Sequence, residues 1–231
     1  MTGPGDVGLL RGAWLVFRTD ARLELRTLDA TITSLLFAGL VLAVAAFGLA
    51  GSADRPAALA PAAFWIAVSL AANLAVVRSW TRERDDGALD SLLLAPIPRA
   101  SILAGKAAAV AAVLAVVEAA LAIPAVVLFG VDVPATAVWI IPAAGLATVG
   151  IALVGALFGA MVAGGASRDL LVGIAIYPLL VPLFLGAVEL SGRALAGAGF
   201  SELSDWLALM AAFDLAVGGA AFWLFDQVVR E

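Results

Sequence analysis

The chain contains no cysteine and no histidine. These absences exclude disulfides, Cys/His metal centres, histidine general bases and the usual His or Cys haem ligands. Lysine occurs once, at position 106, against twelve arginines. No GxxxxGK[ST] phosphate loop and no nucleophile elbow is present, and no paired carboxylates mark a soluble cleft. The chain therefore has no means of hydrolysing a nucleotide, and energised work must draw on a partner. Charge is scarce too: 13% of residues, where soluble domains carry about a quarter. The net charge of -5 is no nucleic-acid footprint, so a nucleic-acid partner is not expected.

What fills the chain is apolar surface, 64% of its 231 residues. Six runs approach the ~20 residues needed to cross about 30 Å of hydrocarbon. They are Thr31 to Ala50, Ala58 to Val77, Ala107 to Phe129, Thr136 to Val162, Leu170 to Leu190 and Trp206 to Val229. The expected fold class is an all-α polytopic membrane protein with six transmembrane helices in one domain, residues 1-231. No soluble domain or linker interrupts it. The N-terminal stretch is too charged for the h-region of a signal peptide.

Residues Leu9 to Leu28 read as an amphipathic helix. Leu10, Trp14, Phe17, Ala21, Leu25 and Leu28 recur at steps of three or four and make one apolar stripe. Arg11, Arg18, Arg22 and Arg26 make a second stripe beside it. A basic face, an apolar face and a tryptophan suit a helix lying in the membrane interface. Simple packing on the inner ends of the bundle is the plainer reading.

Orientation follows from the basic residues. With the N-terminus inside, eleven fall on inner segments, and only Arg55 and Arg193 fall outside. The chain is expected N-in and C-in, as a multi-pass protein of the inner or plasma membrane.

Two acids interrupt the spans. Glu118 lies mid-span in the third, where a carboxylate costs about 2.5–3.5 kcal/mol. It reads as a proton relay or substrate contact, or as a protonated side chain hydrogen-bonded to a neighbouring helix. Asp214 lies in the outer half of the sixth span and would pair with Glu118 only if their depths match. Gly155 and Gly159 form a small-xxx-small pair for close helix packing, within the subunit or at a homodimer seam. Pro178 and Pro182 predict a break or kink in the fifth span.

The longest polar interruption, 78-106, holds five of the thirteen basic residues and four acids. The second span is expected to continue as helix towards Arg84, where Asp85-Asp86-Gly87 breaks it. Asp86 can N-cap a short new helix. Leu89, Leu92 and Leu93 give that helix an apolar ridge, with Asp86 and Asp90 flanking it. Pro96 and Pro98 end it, and Ser101 can cap the third span. Such a ridge suits a partner's groove, or packs back onto the bundle's own inner face.

The order Asp86-Gly87-Ala88-Leu89-Asp90, Leu92, Leu94, Pro96, Pro98 and Lys106 resembles the signature of the haem exporter protein B family (cytochrome c maturation protein B). Arg22-Leu23-Glu24-Leu25-Arg26 and the Pro178/Pro182 pattern extend the resemblance over most of the chain. It implies the permease subunit of the cytochrome c maturation ABC transporter, ABC-2-like in fold. Asp86, Gly87, Leu89, Asp90, Leu92, Leu93, Pro96 and Pro98 would form a coupling helix docked in a cytoplasmic ABC ATPase subunit. The implied partners also include a tryptophan-rich haem-handling membrane subunit, a small single-span subunit and a haem chaperone. Haem would be the cargo, ATP would be bound by the partner, and no cofactor or metal would be held by this chain. Symmetry adds a homodimer facing an ATPase dimer. Two other functions fit the residues: an ABC-2 permease for a lipid, drug or polysaccharide, and a proton-coupled secondary transporter using Glu118 and Asp214.

Overall fold

A computed structural model describes residues 8–49, 56–85, 97–163 and 169–228. Among these the secondary structure is entirely helical. The order is α1 (Leu9–Thr27), α2 (Asp29–Leu49), α3 (Pro56–Asp85), α4 (Arg99–Phe129), a 3-10 turn (Ala135–Trp139), α5 (Ile140–Ala163), α6 (Asp169–Leu195) and α7 (Phe200–Val228). Six segments, spread over α2 to α7, are long and apolar enough to span a bilayer. The chain is a multi-pass membrane protein.

α5 is the central helix and touches α3, α4, α6 and α7. Its alanines and glycines let those neighbours approach closely. A second apolar cluster joins Ala38 and Leu42 of α2 to Ala67 and Ala71 of α3 and to Val117 and Leu121 of α4. Outward-facing Leu36, Leu40, Phe47, Ile123, Leu215 and Trp223 are exposed. In a membrane these are lipid contacts.

Helix ends depart from the sequence expectation where polar contacts stabilise extra turns. α3 runs on through the charged stretch to Asp85, as expected, whereas α4 begins at Arg99, ahead of the expected Ser101 cap. Residues 99–106 therefore belong to α4 and not to the loop. Ser101 does not cap α4; its hydroxyl donates to the Leu9 carbonyl of α1 at 2.9 Å. The expected loop from Ser191 to Asp205 shrinks to four residues, 196–199, between α6 and α7. Ser191 accepts a hydrogen bond from the Trp65 indole, and the Ala194 carbonyl accepts one from Thr136. Gly197, at φ +87°, closes the turn in the left-handed region.

Pro178 and Pro182 do not break the fifth span. Both lie inside the continuous helix α6. Each removes one backbone donor, and their spacing of four puts both on one exposed face. Membrane helices tolerate such prolines when local adjustments satisfy the freed carbonyls.

Candidate functional site

The region of interest lies at the basic end of the bundle, where α3 and α4 flank residues 86–96. Asp86, Gly87, Leu89, Asp90, Leu92, Leu93 and Pro96 lie outside the described residues; Pro98 immediately precedes α4. What is described is how the two flanking helices are held.

α1 lies along the first turns of α4. Side chains at Gly12 and Gly105 would obstruct this: a Cβ on Gly12 would sit 2.7 Å from Ser101 Oγ, and one on Gly105 2.8 Å from the Ala13 carbonyl. The helices therefore meet almost backbone to backbone. One turn further on, Lys106 Nζ lies 2.8 Å from Asp20 Oδ2. The chain's single lysine is 1% exposed, so this is a buried ion pair. Lys106 also stands over the Trp80 ring of α3, 5.6 Å from its centroid. Desolvation strengthens such a cation–ring contact.

Trp80 in turn is seated on α5. A Cβ at Gly159 would fall inside the Trp80 indole, and one at Gly155 would fall on Val76. Val76 and Trp80 are four residues apart, as are Gly155 and Gly159. Two knobs on one face of α3 thus enter two notches on one face of α5. Gly155 and Gly159 serve contact within this chain. Asp20, Lys106, Trp80 and Gly159 form a continuous junction across α1, α4, α3 and α5.

The entry of α1 into the bundle is also fixed. Leu28 adopts the left-handed conformation, φ +53°, at the end of α1. The Glu24 carboxylate then accepts hydrogen bonds from the Thr31 backbone N–H and hydroxyl, both at 2.8 Å, in the first turn of α2. Asp29 and Arg78 approach to 3.4 Å, an exposed pair between α2 and α3.

The intramembrane acids are elsewhere. Glu118 is buried in α4, and Thr148 Oγ1 of α5 lies 2.9 Å from each of its carboxylate oxygens. Asp214 is buried in α7, and neither of its oxygens has a hydrogen-bond partner among the described residues. It lies against Gly150 of α5, where a Cβ would collide with Asp214 Oδ1. Thr148 and Gly150 differ by about 3 Å along the axis and by roughly 200° around it. The two carboxylates thus share a depth, but α5 stands between them. They do not form a pair.

Sequence reasoning singled out Lys106 only as part of a signature and missed Asp20 and Trp80 as its partners. A lone lysine bordering an apolar run was the available signal, because an unpartnered cation is not stable there. It also missed the hydrogen bond from Asn73 Nδ2 of α3 to Tyr177 Oη of α6, 2.8 Å long and exposed on the bundle's flank.

Six spans, a preceding amphipathic helix and a clamped pair of long helices at the basic end define a polytopic membrane protein. The family model described as CcmB protein matches residues 11–228. Heme exporter protein B of Paracoccus denitrificans (strain Pd 1222) is 31% identical over 183 residues, covering 78% of this chain and 82% of the relative. The chain belongs to the CcmB family.

Proposed function

We propose that this chain is the permease subunit of an ATP-driven haem exporter serving cytochrome c maturation. Residues 86–96 dock on a cytoplasmic ATPase subunit through Leu89, Leu92 and Leu93. The observation that carries this reading is the junction behind that segment. Trp80 and Lys106 root its two flanking helices in α5 and α1. Displacement of the segment by the nucleotide-driven partner is passed into the bundle instead of being absorbed by a slack loop. The hydrolytic energy, used on the far side, drives haem export or release of a haem-loaded chaperone. A tryptophan-rich haem-handling subunit and a small single-span subunit complete the assembly.

Haem is cargo here and not a resident cofactor. Tyr177 Oη already accepts a hydrogen bond from Asn73, and Met210 is buried against Gly186. With no His or Cys available, the chain transmits force without ligating iron. Offered haem alone, the purified chain gives no bis-His-type Soret spectrum. A lipid, drug or polysaccharide would suit the same mechanics; the relative's name favours haem. The proton-coupled reading is disfavoured, because α5 separates Glu118 from Asp214 and Thr148 already satisfies Glu118.

The test is complementation of a bacterial strain lacking its own copy of this subunit. The chain restores covalent haem attachment to c-type cytochromes, whereas a Leu89→Asp/Leu92→Asp variant inserted at the same level does not. Failure of the unaltered chain, or full activity of the variant, would overturn the proposal.

A further inference from the structure

We propose that the exposed side of α1 is a binding surface for anionic phospholipid headgroups. α1 has three faces. Gly12, Val16 and Asp20 turn towards α4. Leu10, Trp14 and Leu25 lie on a second face and are 82%, 58% and 73% exposed. Arg11, Arg18, Arg22 and Arg26 lie on a third, roughly a quarter turn from the second. All four arginines are exposed, and none makes an ion pair or side-chain hydrogen bond among the described residues.

The acids of α1 decide the matter. It has only two, and both are turned to other helices. Asp20 is paired with buried Lys106, and Glu24 is bonded to Thr31. The outer side of α1 therefore presents four positive charges with no counter-charge on the same helix. A single residue, Leu28, separates α1 from the membrane span α2, so the arginines are anchored at the bilayer boundary. Exposed leucines and a tryptophan beside a basic row fit acyl chains on one side and phosphates on the other. Each Arg near an anionic surface adds favourable binding that salt screens. A soluble acidic protein would match the charge but not the adjoining apolar stripe. The close contact at Gly12 and Gly105 fixes how α1 is rotated, so the surface is preformed.

The experiment is native mass spectrometry of the purified full chain, without partners, titrated with phosphatidylglycerol or phosphatidylcholine. The chain retains phosphatidylglycerol about tenfold more strongly, and added salt reduces this preference. Arg18→Gln/Arg22→Gln/Arg26→Gln lowers it to the phosphatidylcholine level, with helix content unchanged by circular dichroism. Arg18→Lys/Arg22→Lys/Arg26→Lys keeps most of it, and Arg193→Gln, at the other end of the bundle, leaves it unaltered. Inorganic phosphate at millimolar concentration does not compete. Equal retention of the two lipids, or a preference that survives the triple Gln substitution, overturns the proposal. So does its loss in the triple Lys variant, or displacement by inorganic phosphate. No ATPase enters the measurement, so its outcome is separate from that of the permease reading.

Discussion

The basic end and the middle of the bundle both bury charged side chains, but they handle them differently. At the basic end Lys106 is matched by Asp20, and the pair is built into contacts linking four helices. In the middle, Glu118 and Asp214 each rest singly against α5 from opposite sides. A paired charge ties elements to one another. A single carboxylate satisfied by one threonine, or by no described residue, ties at most one helix to its neighbour. Paired charge is therefore concentrated beside residues 86–96, and the bundle centre is held mainly by apolar packing.

Substitutions can break this contrast. The largest effect is expected from Lys106→Met, which removes the buried cation that faces Asp20. A loss of about 3–5 kcal/mol is expected, read as a lowered unfolding midpoint in detergent. Adding Asp20→Leu to Lys106→Met should recover most of it, because an apolar pair of similar volume replaces the ion pair. Gly159→Ala comes next. Its methyl has no room beside the Trp80 indole, and about 1–3 kcal/mol is expected to be lost. Trp80→Ala should cost stability alone yet relieve Gly159→Ala in a double-mutant cycle.

The mid-membrane substitutions are expected to be milder. Thr148→Val removes the donor to Glu118 and should cost about 0.6–1.7 kcal/mol, the range for hydrogen bonds in membranes. Glu118→Gln keeps a hydrogen-bonding acceptor and should cost less, with cytochrome c maturation largely retained. Tyr177→Phe, on the exposed flank, should fall near 0.6 kcal/mol. If Glu118→Gln abolished maturation while Lys106→Met left it intact, the contrast would be reversed.

Much of the fold was legible because membrane helices announce themselves. Runs of about 20 apolar residues have few alternatives in lipid. The stripe spacing of α1 was equally readable from Leu10, Trp14 and Leu25. The end of α3 was legible too, read as helix towards Arg84, but the start of α4 and the short turn between α6 and α7 were not. Residues 99–106 stay helical because Ser101 and Lys106 find partners far away in the chain. The prolines of α6 leave the helix unbroken for a related reason. Helix-breaking strength measured in water overstates their effect where lipid strongly favours continuous backbone hydrogen bonding. The junction itself was illegible, because Asp20 and Lys106 are brought together only by how α1 is rotated. Gly155 and Gly159 were visible as a packing motif, but their partners, Val76 and Trp80, were not.

The central claim is that the segment between α3 and α4 receives work from an ATP-hydrolysing partner. The most direct measurement is ATPase activity co-eluting with the tagged chain from solubilised native membranes. The account predicts hydrolysis in the eluate of the unaltered chain and of Glu118→Gln, and its loss with Leu89→Asp/Leu92→Asp. Absence of hydrolysis with the unaltered chain, or hydrolysis undiminished by the double substitution, would contradict it.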